Sequence, residues 1–236
     1  MIDKIKNMEE EILINGEAFK AHSNKVLYWV RTKTLLVSDP HFGKVNHFRK
    51  NGIPIPGKLM ENNFYRLGSS IDYFKPDRVL FLGDLFHSEK NEEWELLKEF
   101  FEDYGHIQFD LVLGNHDILT KYELSESRLN CFEQLIEDPF IFTHFPLEDH
   151  KGPLHNFCGH VHPGVRLKGG PGQSARLPCF YFSKVQSIMP AFGDFTGSMR
   201  IQPKKNDRVV VIAGDELLTF TQESKSAKKS SSLLNK

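Results

Sequence analysis

Five short polar windows constrain this 236-residue chain more than any other feature. They read SDPH (38–41), GDLFH (83–87), GNHD (114–117), THF (143–145) and GHVH (159–162). Each places Asp, Asn or His just beyond an apolar, strand-length run, the edge at which open α/β sheets build their sites. Six of the eleven histidines fall inside these windows. Random placement would scatter them, so the sheet must bring its strand ends to one place.

The runs before the windows are strands. VLFL (79–82), FDLVL (109–113) and FIF (140–142) are continuous rather than alternating, as expected for strands covered on both faces. VLYWVR (26–31) and TLLVSD (34–39) flank Thr32-Lys33 and predict a hairpin. Leu59, Phe64, Leu67 and Ile71 give 58–74 a helical period, as Trp94, Leu97, Phe100 and Phe101 do for 92–104. Strand-like segments follow at 178–183, 186–192, 208–213 and 216–221. The pattern predicts an α/β fold, a two-layer β-sandwich flanked by helices (αββα). A single domain is expected over 1–222, with a disordered Ser- and Lys-rich tail over 223–236.

Hydrophobic residues make up 39% and charged residues 26%, an ordinary globular balance. A net charge of −1 predicts no strong global attraction to nucleic acid or to an anionic membrane. A local basic patch could still hold DNA. Three cysteines without CxxC spacing argue against a disulfide framework and a zinc-thiolate site, and point to the cytoplasm. MIDKIKNMEEEI has no apolar core, so no signal peptide is expected, and no apolar run reaches membrane length.

Carboxylate, amide and imidazole donors together suit two divalent ions, Mn first, with Fe, Zn or Ni as alternatives. Imidazoles disfavour a pure Mg site, since Mg prefers oxygen ligands. Two adjacent ions need a shared anionic ligand, and the Asp of the GD window is well placed for it.

The series DxH, GD, GNHD, H and GHxH, in this order over 38–162, resembles the signature of the calcineurin-like metallophosphoesterases. The resemblance implies that Asp39, His41 and His162 hold one metal, that Asn115, His144 and His160 hold the other, and that Asp84 bridges them. It implies that His116 contacts the scissile phosphate and leaving oxygen, oriented by Asp117. HFGKVNHFRKNGIPIP (41–56), GDLFHS (83–88), GHVHPGVRLKGGPGQSARLPCFYF (159–182) and MPAFGDFTG (189–197) are also similar to a narrower family, the PdeM-type DNA-ligase-associated phosphoesterases. That likeness implies a phosphodiesterase or endonuclease of DNA repair, working beside a ligase and a helicase. His87 stands where the wider superfamily commonly has Asp or Arg.

Substrate contact is expected from His87, with orientation of Asp84 as its other role. It is also expected from Lys44, Arg49 and Lys50 after the first window, and from Arg166, Lys168 and Arg176 around a Gly-rich loop. Cys158 and Cys179 read as core residues, and His22, His106, His150 and His155 as ordinary ones. The expected activity is hydrolysis of a phosphodiester, DNA or a nucleotide diester. A phosphomonoesterase or small-nucleotide phosphodiesterase is the first rival and a non-catalytic scaffold the second; a scaffold typically lacks some of the donors present here.

Overall fold

The structure, a computed structural model, describes residues 7–44, 58–87, 91–119, 123–124, 126–148, 150, 152–168, 174–194 and 196–221. The expected tail lies outside them. Two sheets stack face to face. In the first, seven strands run in chain order: β1 (Glu9–Ile14), β2 (Glu17–His22), β3 (Val26–Trp29), β4 (Thr34–Val37), β5 (Arg78–Leu82), β6 (Gln108–Val112) and β7 (Leu129–Phe132). Pairing is antiparallel up to β4 and parallel from β4 to β7. Helix α1 (Lys58–Phe74) joins β4 to β5, and α2 (Glu92–Asp103) joins β5 to β6.

The second sheet has nine strands: β8 (Leu135–Glu137), β9 (Phe140–Phe142), β10 (His155–Cys158), β11 (Pro163–Lys168), β12 (Ser174–Phe182), β13 (Gln186–Ile188), β14 (Met199–Arg200), β15 (Arg208–Ala213) and β16 (Glu216–Thr221). Strand β10 runs parallel to both β9 and β13. The segment expected to be a strand over 186–192 pairs only to Ile188, because beyond it the backbone leaves the ladder. There the Phe192 N–H donates to the Ser38 carbonyl instead.

Alternation explains the continuous apolar runs. In β5, Val79 and Phe81 point to the helices, where Leu67, Ile71, Trp94, Leu97 and Phe101 pack, while Leu80 and Leu82 point into the sandwich. Inside the sandwich they meet Phe140, Phe142, Phe157, Phe180 and Val210. Both described helices therefore cover the first sheet. The outer face of the second carries a smaller apolar layer around Cys179, Val209 and Val211. Cys158 and Cys179 are buried core residues, as expected, and all three cysteines are free. No helix among the described residues is long and apolar enough to cross a membrane.

Candidate metal centre

The C-terminal ends of β4, β5, β6, β9 and β10 meet at one edge of the sandwich, three from the first sheet and two from the second. A backbone ladder continues past the strands there. The Asp39 N–H donates to the Gly83 carbonyl, that of His41 to Asp84, that of Phe42 to Leu85 and that of His87 to Phe42. The first two windows are thereby locked in register. Gly83, at φ +81°, comes so close to His144 that a Cβ there would sit 2.2 Å from the imidazole Nδ1. A Cβ on Gly159 would lie 1.9 Å from Ser38 Oγ and 2.4 Å from Asp39 Oδ2. Only a bare backbone lets the windows converge.

The local backbone is unusual. Asp39, His41, Asp84, His160 and His162 all have φ between +49° and +62°, a region that non-glycine residues seldom occupy. Such conformers cost of order 1–3 kcal/mol each and persist where the surroundings enforce them, typically at functional sites.

Two groups of donor atoms result. Asp39, His41 and His162 form one, and Asp84, His144 and His160 the other; within each group the donor atoms lie within 4.8 Å of one another. The Asp84 carboxylate spans both, with Oδ2 3.7 Å from His41 Nε2 and Oδ1 3.5 Å from His144 Nε2. Its Oδ1 also accepts the His116 N–H at 2.8 Å. Asp39 accepts the His160 N–H and the Ser38 hydroxyl, and its Oδ1 lies 3.3 Å from His162 Nε2.

The hydrogen bonds leave ring nitrogens bare. His144 Nδ1 donates to the Leu82 carbonyl at 3.0 Å, so Nε2 keeps its lone pair. That lone pair faces Asn115 Oδ1 and His160 Nδ1, each at 3.1 Å. His162 Nδ1 donates to the Gly197 carbonyl at 3.1 Å, and its buried Nε2 has no hydrogen-bond partner. Among the described residues, neither ring nitrogen of His41 has one. Burial first, then the nearby Lys44, pushes His41 down to about 2, and burial also lowers His160. Neutral imidazoles and carboxylates whose lone pairs converge repel one another unless a cation lies between them. The donor set therefore fits two divalent ions.

The other predicted residues divide. The His116 ring packs against that of His87, centroids 3.9 Å apart and planes tilted by 44°, and both lie within 6 Å of the His41 ring. Asp117 was expected to orient the His116 ring. Instead its carboxylate accepts the Gly114 N–H at 2.8 Å and the Phe86 N–H at 3.1 Å, so it fixes the loop through the backbone. Burial pushes its carboxyl up to about 6. Lys44 is half-buried and feels both Asp84 and Asp39. Arg49 and Lys50 lie outside the described residues, as does the Lys168 side chain. Arg166 is exposed and bonded to Ser174, while Arg176 lines a cavity beside His162. Lys25 and Asp194 of that cavity were missed, although Asp194 sits in the MPAFGDFTG segment. Phe145 was missed too: it is 47% exposed, with its ring 4.5 Å from that of His160.

The family model for calcineurin-like phosphoesterases matches residues 32–173, more than half of the chain and all five windows. The chain belongs to the calcineurin-like phosphoesterase family. Members of this family bind two divalent metals, in line with the two donor groups. The matched segment is thus a calcineurin-like phosphoesterase domain. Metallophosphoesterase 1 of Cricetulus griseus is 30% identical over 78 residues, and that of Rattus norvegicus 30% identical over 76. These stretches are 30% and 29% of this chain, which spans only about a fifth of the relatives' own length (20% and 19%). Among solved structures, a nuclease of Pseudomonas putida, MPE, superposes with a TM-score of 0.77 at 24% identity, covering 90% of this chain and 100% of that one. This likeness extends the shared calcineurin-like fold beyond the matched segment.

Proposed function

We propose that the chain hydrolyses phosphodiesters, nucleotide diesters and DNA first among them, at a dinuclear centre in which Asp84 is the shared ligand. The observation that carries this reading is the Asp84 carboxylate, whose two oxygens face the two donor groups separately. Asp39, His41 and His162 hold one ion; Asn115, His144 and His160 hold the other. When bound, the pair neutralises phosphate charge and lowers the pKa of water at the site, with manganese the first choice for this mixed donor set.

The chain's own residues do the rest. His116, fixed through its N–H to Asp84 and by the Asp117-pinned loop, gives a proton to the leaving oxygen. His87 supports that ring by packing against it. Phe145 offers an exposed aromatic face at the rim, suited to stacking a base. This favours a nucleotide over a simple monoester. The solved neighbour is itself described as a nuclease, although at 24% identity it speaks for the fold. A cytoplasmic setting, with a ligase and a helicase in the same pathway, belongs to the same reading; it follows from the narrower resemblance and the unpaired cysteines.

The test is a metal count by plasma mass spectrometry, followed by chelation and add-back, using bis-p-nitrophenyl phosphate and a single-stranded oligonucleotide. Two ions per chain, rescue by Mn²⁺ and poor rescue by Mg²⁺ are expected. Full activity after chelation would sink the dinuclear reading, and an intact oligonucleotide beside a cleaved small diester would remove DNA.

A further inference from the structure

A cavity of about 210 Å³ opens next to His162, lined by Lys25, Arg176, Asp194, Thr196 and Ser198 among others. We propose that this cavity is a subsite for the phosphate adjacent to the scissile one, so that the preferred substrate carries a second phosphate. The proposal rests on the phosphodiesterase reading and specifies its substrate.

Charge is the first argument. Lys25 Nζ lies 3.3 Å from Asp194 Oδ1, and Arg66 Nη1 lies 3.2 Å from the same oxygen. Two cations share one carboxylate. Arg66 balances Asp194 from outside the lining, which leaves Lys25 and Arg176 as the two cations of the wall, and Arg176 Nη1 is held by the Ser198 carbonyl at 2.7 Å. Sheet register is the second argument, and it is independent. Arg176 and Arg166 are direct cross-strand partners of β12 and β11, an arrangement of like charges that weakens a sheet unless an anion offsets it.

Position is the third. The His162 imidazole separates the cavity from the donor atoms, with Nδ1 bonded to Gly197 of the cavity wall. The loop carrying Asp194 is tied to the first window, since the Phe192 N–H donates to Ser38 and the Gly193 N–H to Asp39. An anion in the cavity would thus lie one side chain away from the phosphate being cleaved. The volume sets the class of ligand. It is below the roughly 300–1,000 Å³ of sites that enclose whole ligands, so it admits a phosphate with part of its sugar but not a base.

Three substrates decide the matter in the manganese-loaded protein: thymidylyl-thymidine with its single internal phosphodiester, and the same dinucleotide bearing a 5′-terminal or a 3′-terminal phosphate. One phosphorylated form should exceed the parent in kcat/KM by about tenfold, the size of one charge-assisted hydrogen bond. Lys25→Met and Arg176→Gln should each bring that ratio down towards one while both metals stay bound. Arg176 is exposed, so its variant decides the question even if Lys25→Met fails to fold. Turnover with a ratio near one for both phosphorylated forms, or an unchanged ratio in Arg176→Gln, overturns the subsite alone. Failure to cleave any of the three overturns the phosphodiesterase reading together with it.

Discussion

The two ends of the sandwich differ in kind. At the end opposite the donor groups lies a larger cavity, about 460 Å³, lined by Ile12, His155, Phe182, Lys184 and Arg208 among others. There the buried His155 has partners for both ring nitrogens, Ser187 Oγ at 2.8 Å and the Lys184 carbonyl at 3.4 Å. At the metal-centre end, His41 is equally buried and has none. That end also holds five Asp and His residues in left-handed backbone. Volume alone would have chosen the wrong end. Among the described residues, unpartnered buried imidazole nitrogens gathered with left-handed Asp and His residues mark the working end, since the opposite cavity has an unpartnered Arg208 Nε and left-handed Asn15 and Asn206 but no such imidazole.

The comparison breaks most directly at Asp84. Asp84→Asn should lose both metals and about a thousandfold or more in turnover, since metal stabilisation of the transition state is worth several kcal/mol. Wild-type turnover in that variant with manganese supplied would end the bridging assignment. His116→Ala should keep both ions while kcat falls by roughly 10²–10⁴. The loss should shrink on bis-p-nitrophenyl phosphate, whose leaving group needs little protonation. Equal losses on activated and unactivated esters would remove His116 from the acid role, and loss of metal would make it a ligand.

Gly159→Ala tests the close approach of the windows. Its methyl would press on Ser38 and Asp39, so metal affinity should fall by roughly 10–100-fold, the range for disturbed ligand support. Titration by calorimetry reads this directly, and unchanged affinity would show that the windows can move apart.

The last effect belongs to the opposite end and concerns stability rather than metal or turnover. Burial pushes His155 down to about 4, so on acidification the unfolded chain takes up a proton that the folded one refuses. The stability this group contributes is present above pH 6.5 and is lost as pH falls towards 4, by about 3 kcal/mol. Urea unfolding at several pH values should show a shallower acid decline for His155→Asn than for the wild type. Parallel curves would mean that His155 takes up its proton as readily in the folded chain as in the unfolded one.

Much of this was legible in the sequence, because short continuous apolar runs rich in β-branched and aromatic residues fit strands buried on both faces, and polar windows after them then fall at the strand ends. The hairpin forms, but its loop is the four residues 30–33 rather than Thr32-Lys33 alone, because β3 ends at Trp29, which pairs with Thr34, as Leu27 does with Leu36. Strands β1 and β2 were not read, since Glu9–Glu11 and Glu17 look unlike a strand. The sign of that hairpin was nevertheless present in Asn15-Gly16, both at positive φ as a type I′ turn requires. The cavity beside His162 was hidden for another reason. Lys25, Arg66, Arg176 and Asp194 come from four separate segments, and only the tertiary fold makes them neighbours.

The left-handed conformers have an evolutionary consequence. Asp39, His41, Asp84, His160 and His162 are held where glycine would rest more easily. A lineage released from selection for hydrolysis would therefore gain most by drifting to glycine at the histidines among these positions, since Asp39 and Asp84 also accept backbone N–H groups that glycine would leave unpaired. The folded state without metal should tolerate such changes well, and heat resistance should rise as activity disappears.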